Sequence, residues 1–197
     1  MGRGRPRKIK PEQALEAAVT LFWEKGFEAT TLNDLVNATG MAKPGLYAAF
    51  GDKGSLYTKA LTHYHTAKAE PVLAALESDT APLKPRIKAY LETIAAGMAD
   101  EATPQACFLV NSVMECRGEL SPLREASMAL NARRVAALKT GFDGARARNE
   151  IPADADAAAL AEFYSAQTAA LAVMGRTNND RQAMQKMIEM AMAAWPS

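Results

Sequence analysis

Residues 31–50 read TLNDLVNATGMAKPGLYAAF, and the fold turns on them. Thr31 is placed to cap a helix, and Asp34, three residues on, is placed to answer the cap. Leu32, Leu35 and Val36 then form one apolar face at helical spacing. Gly40 ends that helix, because glycine takes the left-handed cap conformation without steric cost. A second helix resumes near Ala42, with Pro44 in its first turn, where a missing N–H does no harm. Leu46 and Phe50, four apart, point back to a core and leave Lys43, Gly45 and Tyr47 facing outward. Two short helices about a glycine turn describe a helix-turn-helix, whose second helix enters a DNA major groove. Taken alone, the pattern also fits an ordinary helical hairpin, so the flanking chain has to decide.

The chain has 197 residues, 49% apolar and 23% charged, which supports a buried core in one large domain or two small ones. Alanine and methionine are abundant and β-branched residues sparse, which favours an all-α fold. No apolar run approaches the ~20 residues that cross a bilayer. The N-terminus lacks a signal-peptide core, so a cytoplasmic location and no membrane contact are expected. Cys107 and Cys116 are too few for a disulfide framework and lack a zinc-finger pattern. The net charge of +1 is uneven: residues 1–66 carry nine Lys/Arg against six Asp/Glu, and residues 67–197 fourteen against sixteen.

The positive excess sits in the first ten residues, with Arg3, Arg5, Arg7, Lys8 and Lys10 and no acid. A basic arm leading into a helix-turn-helix is the electrostatic footprint of a DNA binder. Its Arg3-Gly4-Arg5-Pro6-Arg7 core suits a narrow minor groove; a tail that touches phosphates only is the other reading. Pro11 opens the first helix, with Leu15, Ala18, Val19 and Phe22 inward, and Lys25-Gly26 closes it before Phe27 returns to the core. Asp52 caps a fourth, longer helix. That helix carries Leu56, Tyr57, Ala60, Leu61 and Tyr64 inward, and its N-terminus with Lys53 offers a phosphate clamp. Pro71 kinks or breaks this helix.

The run ALEAAVTLFWEKGFEATTLNDLVNATGMAKPGLYAAFGDKGSLYTKAL closely resembles the DNA-binding domain of the TetR family of bacterial transcriptional regulators, over about residues 9–66. The resemblance implies a three-helix helix-turn-helix domain at residues 9–66, behind a flexible basic arm at 1–10. It implies a C-terminal helical domain for effector binding and dimerisation at 67–197. Carried over position by position, Lys43, Pro44, Gly45 and Tyr47 contact bases and phosphates, and Thr31 and Lys53 contact phosphate. The chemistry agrees: Lys43 reaches guanine O6/N7 or a phosphate, and the Tyr47 hydroxyl donates to phosphate. Ala48 and Ala49 have no hydrogen-bonding group, though Ala49 suits a thymine methyl. Specificity therefore leans on the arm and on DNA shape.

After a loop at 78–85, five more helices are expected, near residues 83–99, 105–116, 122–149, 155–176 and 181–195. The second is apolar on nearly every side and so expected to be buried. The last two present Leu160, Tyr164, Gln167 and Leu171, then Met184, Met187, Ile188 and Met192. These read either as plain core or, because alanines allow close approach, as half of a four-helix dimer interface, which the resemblance favours. A homodimer would read a palindromic double-stranded operator. The resemblance also implies an effector pocket in the body, with Tyr90, Ile94, Met98, Phe108, Met114, Phe142 and Phe163 as candidate linings. Each could equally be core. An aliphatic, Met-rich lining suits a small apolar or aromatic effector.

The segment QACFLVNSVMEC resembles a helix of a family branch in which a cysteine at its start senses oxidants or electrophiles. No Lys, Arg or His precedes Cys107 closely, which favours packing over a thiolate sensor. Cys107 and Cys116 lie at opposite ends of one helix and cannot pair. His63 and His65 face different sides of theirs, which argues against a metal pair. No nucleophile–base set or phosphate-binding glycine loop marks an enzyme, and no cofactor is expected. The reading is a ligand-responsive DNA-binding regulator, a repressor released by its effector. An architectural DNA binder without an effector and a thiol-based redox regulator acting through Cys107 stay open as alternatives.

Overall fold

A computed structural model describes residues 9–78, 82–100, 103–104, 107–115 and 122–196. These form ten α-helices and no strand among the described residues: α1 Pro11–Ala29, α2 Leu32–Thr39, α3 Lys43–Phe50, α4 Lys53–Tyr64, α5 Glu70–Glu77, α6 Leu83–Met98, α7 Phe108–Glu115, α8 Pro122–Ala147, α9 Ala157–Thr177 and α10 Arg181–Ala193. Helices α1 and α3 pack against α4, α2 packs against α1 and α3, and α5 to α10 form the larger body. No helix among the described residues is long and apolar enough to cross a membrane.

The first helix breaks at Gly26, where it was expected to close. That residue takes φ 76, and a further turn follows to Ala29. At α2 the capping box forms in full. The Asp34 N–H donates to Thr31 Oγ1 at 3.1 Å, and the Thr31 N–H donates to Asp34 Oδ2 at 2.9 Å. Lys25 Nζ lies 3.0 Å from the second carboxylate oxygen. These N–H and O–H donors from Thr31, with Lys25, hold the Asp34 carboxyl down at about 2. Gly40 takes φ 67 and its N–H donates to Val36 O at 2.9 Å. Asp52 caps α4 by accepting from the Ser55 N–H at 2.7 Å.

Between α4 and α5 the chain keeps turning through a π segment, His65–Ala69. Pro71 follows in the first turn of α5. A proline cannot donate to the turn before it and crowds the carbonyl four residues back, so the wider π turn takes up the mismatch. At the C-terminus of α5 the Arg86 guanidinium donates to the carbonyls of Ala75, Leu76 and Ser78, which would otherwise lack partners. The N-terminus of α6 is closed from far along the chain, where the Leu83 N–H donates to Glu150 Oε2 at 2.6 Å. Helix α9 starts at Ala157, two residues later than expected, because Asp156 accepts from the Ala158 and Ala159 N–H groups. The expected ends at Gln105 and Cys116 and the arginines at 3, 5 and 7 lie outside the described residues.

Two packing expectations need correction. Helix α7 is not buried all round, since Met114 is 61% exposed. Of the residues expected at a dimer interface, Tyr164, Leu171, Met184 and Ile188 are buried inside their own chain. The Tyr164 hydroxyl donates to Ala191 O at 3.0 Å, which ties α9 to α10, and its ring stacks on Phe142 at 5.5 Å. Leu160, Gln167, Met187 and Met192 are half-buried.

Close approach on α8 singles out Gly141. A Cβ there would stand 2.9 Å from the Leu76 carbonyl oxygen and 2.9 Å from Leu83 Cδ1. Gly97 on α6 meets nothing within 4 Å. Gly141→Ala should therefore lower stability by about 1–3 kcal/mol, less the ~1 kcal/mol that helix propensity returns. Gly97→Ala should raise it by up to about 1 kcal/mol. Urea midpoints check the pair, and equal shifts in both variants would refute the steric account. A second expectation concerns pH. The folded-state pKa of Asp34 lies below its ordinary 3.8, so its stabilisation is present above 3.8 and is lost as pH falls toward about 2. Hydrogen exchange should show α2 amides less protected in Asp34→Asn than in the native chain at neutral pH. That difference should vanish at the acid end of this window.

Candidate DNA-reading surface and the cavity behind it

Helix α3 is eight residues long and is held from below by buried Leu46 and Phe50. Its outer side presents Lys43, Pro44, Tyr47 and Ala48, with Gly45 half-buried. Lys43 Nζ sits 5.8 Å from the Tyr47 ring centroid, so the cation and the phenol form one unit. Ala48 is exposed, whereas Ala49 packs against the core. The methyl available to a thymine is therefore that of Ala48, one helical step of 100° from the expected Ala49.

The two expected phosphate contacts have prior partners. Thr31 Oγ1 donates to Asp34 Oδ2 at 2.8 Å, so a phosphate competes with Asp34 for that proton. Lys53 Nζ lies 4.3 Å from the Phe27 ring centroid and is half-buried. The Asp52 carboxylate already occupies the N-terminal N–H of Ser55. At the turn, a Cβ on Gly40 would fall 2.6 Å from Ile9 Cδ1. Ile9 thus seats the end of the basic segment beside the helix-turn-helix.

Behind the reader lies a cavity of about 210 Å³. Its wall brings together Trp23 of α1, Tyr64 of α4, His65 and Lys68 of the π turn, and Val72 and Leu73 of α5. Tyr90, Thr93, Ile94, Gly97 and Met98 of α6, Leu109 of α7, Arg134 of α8, Thr168 of α9, and Ala69, Asp100, Thr103 and Cys107 complete it. Of the linings expected from sequence, Tyr90, Ile94 and Met98 meet here. Phe108 packs edge-on between Tyr57 and Tyr64, Phe142 stacks with Tyr164 and Trp195, and Met114 and Phe163 are exposed. None of these four lines the cavity.

Sequence reasoning missed Trp23, Tyr64, His65, Arg134 and Thr168. The Tyr90 hydroxyl and Thr168 Oγ1 are 2.9 Å apart. Burial, and then the adjoining Cys107 thiol, raise the Tyr64 phenol well above its ordinary pKa. Burial lowers the pKa of His65 against the pull of Glu70, with Arg133 and Arg134 adding to the effect, so His65 is neutral at neutral pH. His63, by contrast, is exposed. No group of three or more His, Cys, Asp or Glu suited to a metal occurs among the described residues.

The cavity is joined to the reader by a long-range contact that no local signal in the sequence announces. Glu115, at the end of α7, accepts from the Phe27 N–H at 2.9 Å. Its carboxylate fills the space beside Gly26, where a Cβ would lie only 2.0 Å from Glu115 Oε1. Gly26 is thus required twice, for its φ and for its missing side chain.

Residues 14–60 match the family model for bacterial regulatory proteins of the tetR family, and residues 84–191 match that for the tetracyclin repressor-like C-terminal domain. The chain is 29% identical to the HTH-type transcriptional repressor ComR of Escherichia coli (strain K12) over 194 residues, 98% of this chain and 92% of ComR. It is 42% identical to the repressor BdcR of the same organism over 76 residues, 39% of each chain. Among solved structures, a cysteine mutant of the TetR family regulator CifR, complexed with 26-bp double-strand operator DNA, superposes with a TM-score of 0.90. It is 27% identical, and the match covers 98% of this chain and all of that one. The helix-turn-helix, the helical body and these matches agree: the chain belongs to the TetR family, whose members are DNA-binding transcriptional regulators and not enzymes.

Proposed function

We propose that this regulator is a repressor that holds a palindromic operator as a homodimer and releases it when a small molecule fills the cavity. The observation that carries the reading is where the cavity lies. Trp23, on the first helix of the reader, forms part of its wall, so a ligand there touches the DNA-reading unit itself. Tyr90, Ile94 and Met98 supply an apolar seat on the opposite side. Helix α7 follows Cys107 in the wall and ends at Glu115, which grips Phe27. A ligand that prefers one setting of Trp23 and α7 shifts operator affinity by its differential affinity for the two settings, and by no more.

On DNA, Lys43, Pro44, Gly45 and Tyr47 make the groove contacts, and Thr31 and Lys53 approach phosphates. Arg3, Arg5 and Arg7 of an arm at residues 1–10 add charge. The reader then spans residues 9–66 and the effector and dimerisation body 67–197. A regulator acting on operator DNA works in the cytoplasm. The repressor sense is supported by the names of ComR and BdcR. Dimerisation uses the outward side of α9 rather than the buried one. Ala159, Phe163, Ala166, Ala170 and Val173 recur at spacings of four and three along it, the period of a helix–helix seam. Val173 is 57% exposed, and Met190 on α10 is 75% exposed. Such a stripe of small and apolar residues lets a second copy pack closely.

Operator sequences can be defined by selection from a random duplex pool with the native chain, and an inverted repeat is expected. Each lost contact costs about 1–3 kcal/mol, so Lys43→Ala with Tyr47→Ala should weaken operator binding by roughly 30-fold or more in fluorescence anisotropy, with an unchanged circular dichroism spectrum. Undiminished affinity in the folded double variant would remove α3 from the interface. Phe163→Glu with Val173→Glu should turn a sedimenting dimer into a monomer and weaken binding to the inverted repeat. A variant that stays dimeric would exclude this face of α9.

A further inference from the structure

Adjacent residues on an α-helix point about 100° apart, and on α8 this separates two arginines with opposite circumstances. Arg133 faces α5. It donates to Glu70 and, through two nitrogens, to Glu77 at 2.9 Å, and these carboxylates answer its charge. Arg134 turns inward to the cavity wall and is 8% exposed. Its hydrogen-bond partner among the described residues is the neutral Asn131 side chain. Its Nε has none, and no carboxylate among the described residues pairs with it. Beside it on the same wall His65, 5% exposed, leaves Nε2 without a partner. Its Nδ1 lies 3.8 Å from Glu70 Oε2, beyond hydrogen-bond reach.

A guanidinium cannot shed its proton to escape burial, and an uncompensated buried charge costs several kcal/mol. An anion that enters the cavity removes that cost, which neutral ligands cannot do. The rest of the wall limits what kind of anion fits. Trp23, Val72, Leu73, Ile94 and Met98 are apolar. Lys68 and Asp100 on the same wall are exposed and opposite in sign, so the one buried cation there among the described residues, Arg134 beside a neutral imidazole, balances one negative charge and not the two of a phosphate monoester. The ~210 Å³ volume equals about seven waters at ~30 Å³ each, room for roughly ten non-hydrogen atoms. We propose that the cavity takes a small organic monocarboxylic acid. Its carboxylate accepts from Arg134 and its ring or short aliphatic body lies against Trp23, Ile94 and Met98. The proposal rests on reading this cavity as the effector site and supplies its ligand class.

The test is calorimetric titration of the full chain with benzoate, phenylacetate and hexanoate, each beside its neutral amide. At least one acid should bind ten or more times tighter than its amide, and Arg134→Gln should abolish that preference. The Gln variant should melt at or above the native temperature, since it removes an uncompensated charge. Should it not fold, Arg134→Lys retains the charge without the planar fork and should bind the acid more weakly, yet still ahead of the amide. The proposal is overturned if no acid binds, if amides match their acids, or if a folded Arg134→Gln chain retains the preference. Operator release is scored separately. An acid that binds through Arg134 without changing operator affinity supports the ligand class and overturns the release reading. Release by amides equal to that by acids does the opposite.

Discussion

The aromatic contact that everything else leans on is the ring of Tyr57. Phe22 of α1 meets it edge-on at 5.0 Å, Phe27 at 5.2 Å and Phe108 of α7 at 5.4 Å. Tyr64, two turns along α4, continues the cluster to Trp23 at 4.8 Å and back to Phe108 at 5.6 Å. Edge-to-face pairs each contribute about 0.5–1.5 kcal/mol beyond burial and fix an angle as well as a distance. Helix α1 is therefore held at a set orientation by α4 and α7 together. The reader and the body share one packed seam, and α3 inherits its aim from that seam through α1 and α4.

This seam makes the Glu115–Phe27 contact and the cavity parts of one device. The cluster ends at Tyr64 and Trp23, which are cavity wall, and Phe108 stands between Cys107 on that wall and Glu115 at Gly26. Close-packed interiors do not deform continuously, so a shifted Trp23 or α7 must find another discrete packing. Gly26 is where the chain can change direction, since its backbone already leaves the helix there. Under the proposed release mechanism, a ligand behind Trp23 would act on the reader close to this break in α1.

The sequence was most readable where structure is made by neighbours in the chain. The capping box at Thr31 and Asp34, the left-handed Gly40, Pro44 in a first turn and the Asp52 cap each depend on residues within four of one another. So does the inward pair Leu46 and Phe50. Helix α9 was less readable because its apolar residues surround it: Tyr164 and Leu171 lie inward, Phe163 and Val173 outward. Periodicity alone could not decide which set faces α10 and which is left outward. The candidate linings Phe108 and Phe142 failed for a related reason. Large rings fill space, and a cavity is what remains where they do not reach. Glu115 and Glu150, bonded 88 and 67 residues away, had no local pattern to betray them.

Arg133 and Arg134 show how far residue type alone can go. Both belong to a charged run on a long helix, and a solvated face is the natural reading of each. One step of 100° sends the first to two glutamates and the second to a desolvated wall beside His65 and Tyr90. Their energetics then differ in sign. Removing Arg133 would leave Glu70 and Glu77 facing each other without their shared cation, whereas Arg134 carries a charge that the described fold does not answer. A protein keeps such a group where its cost is offset in another state. If the cavity is the effector site as proposed, the liganded state is the one in which Arg134 would have a partner.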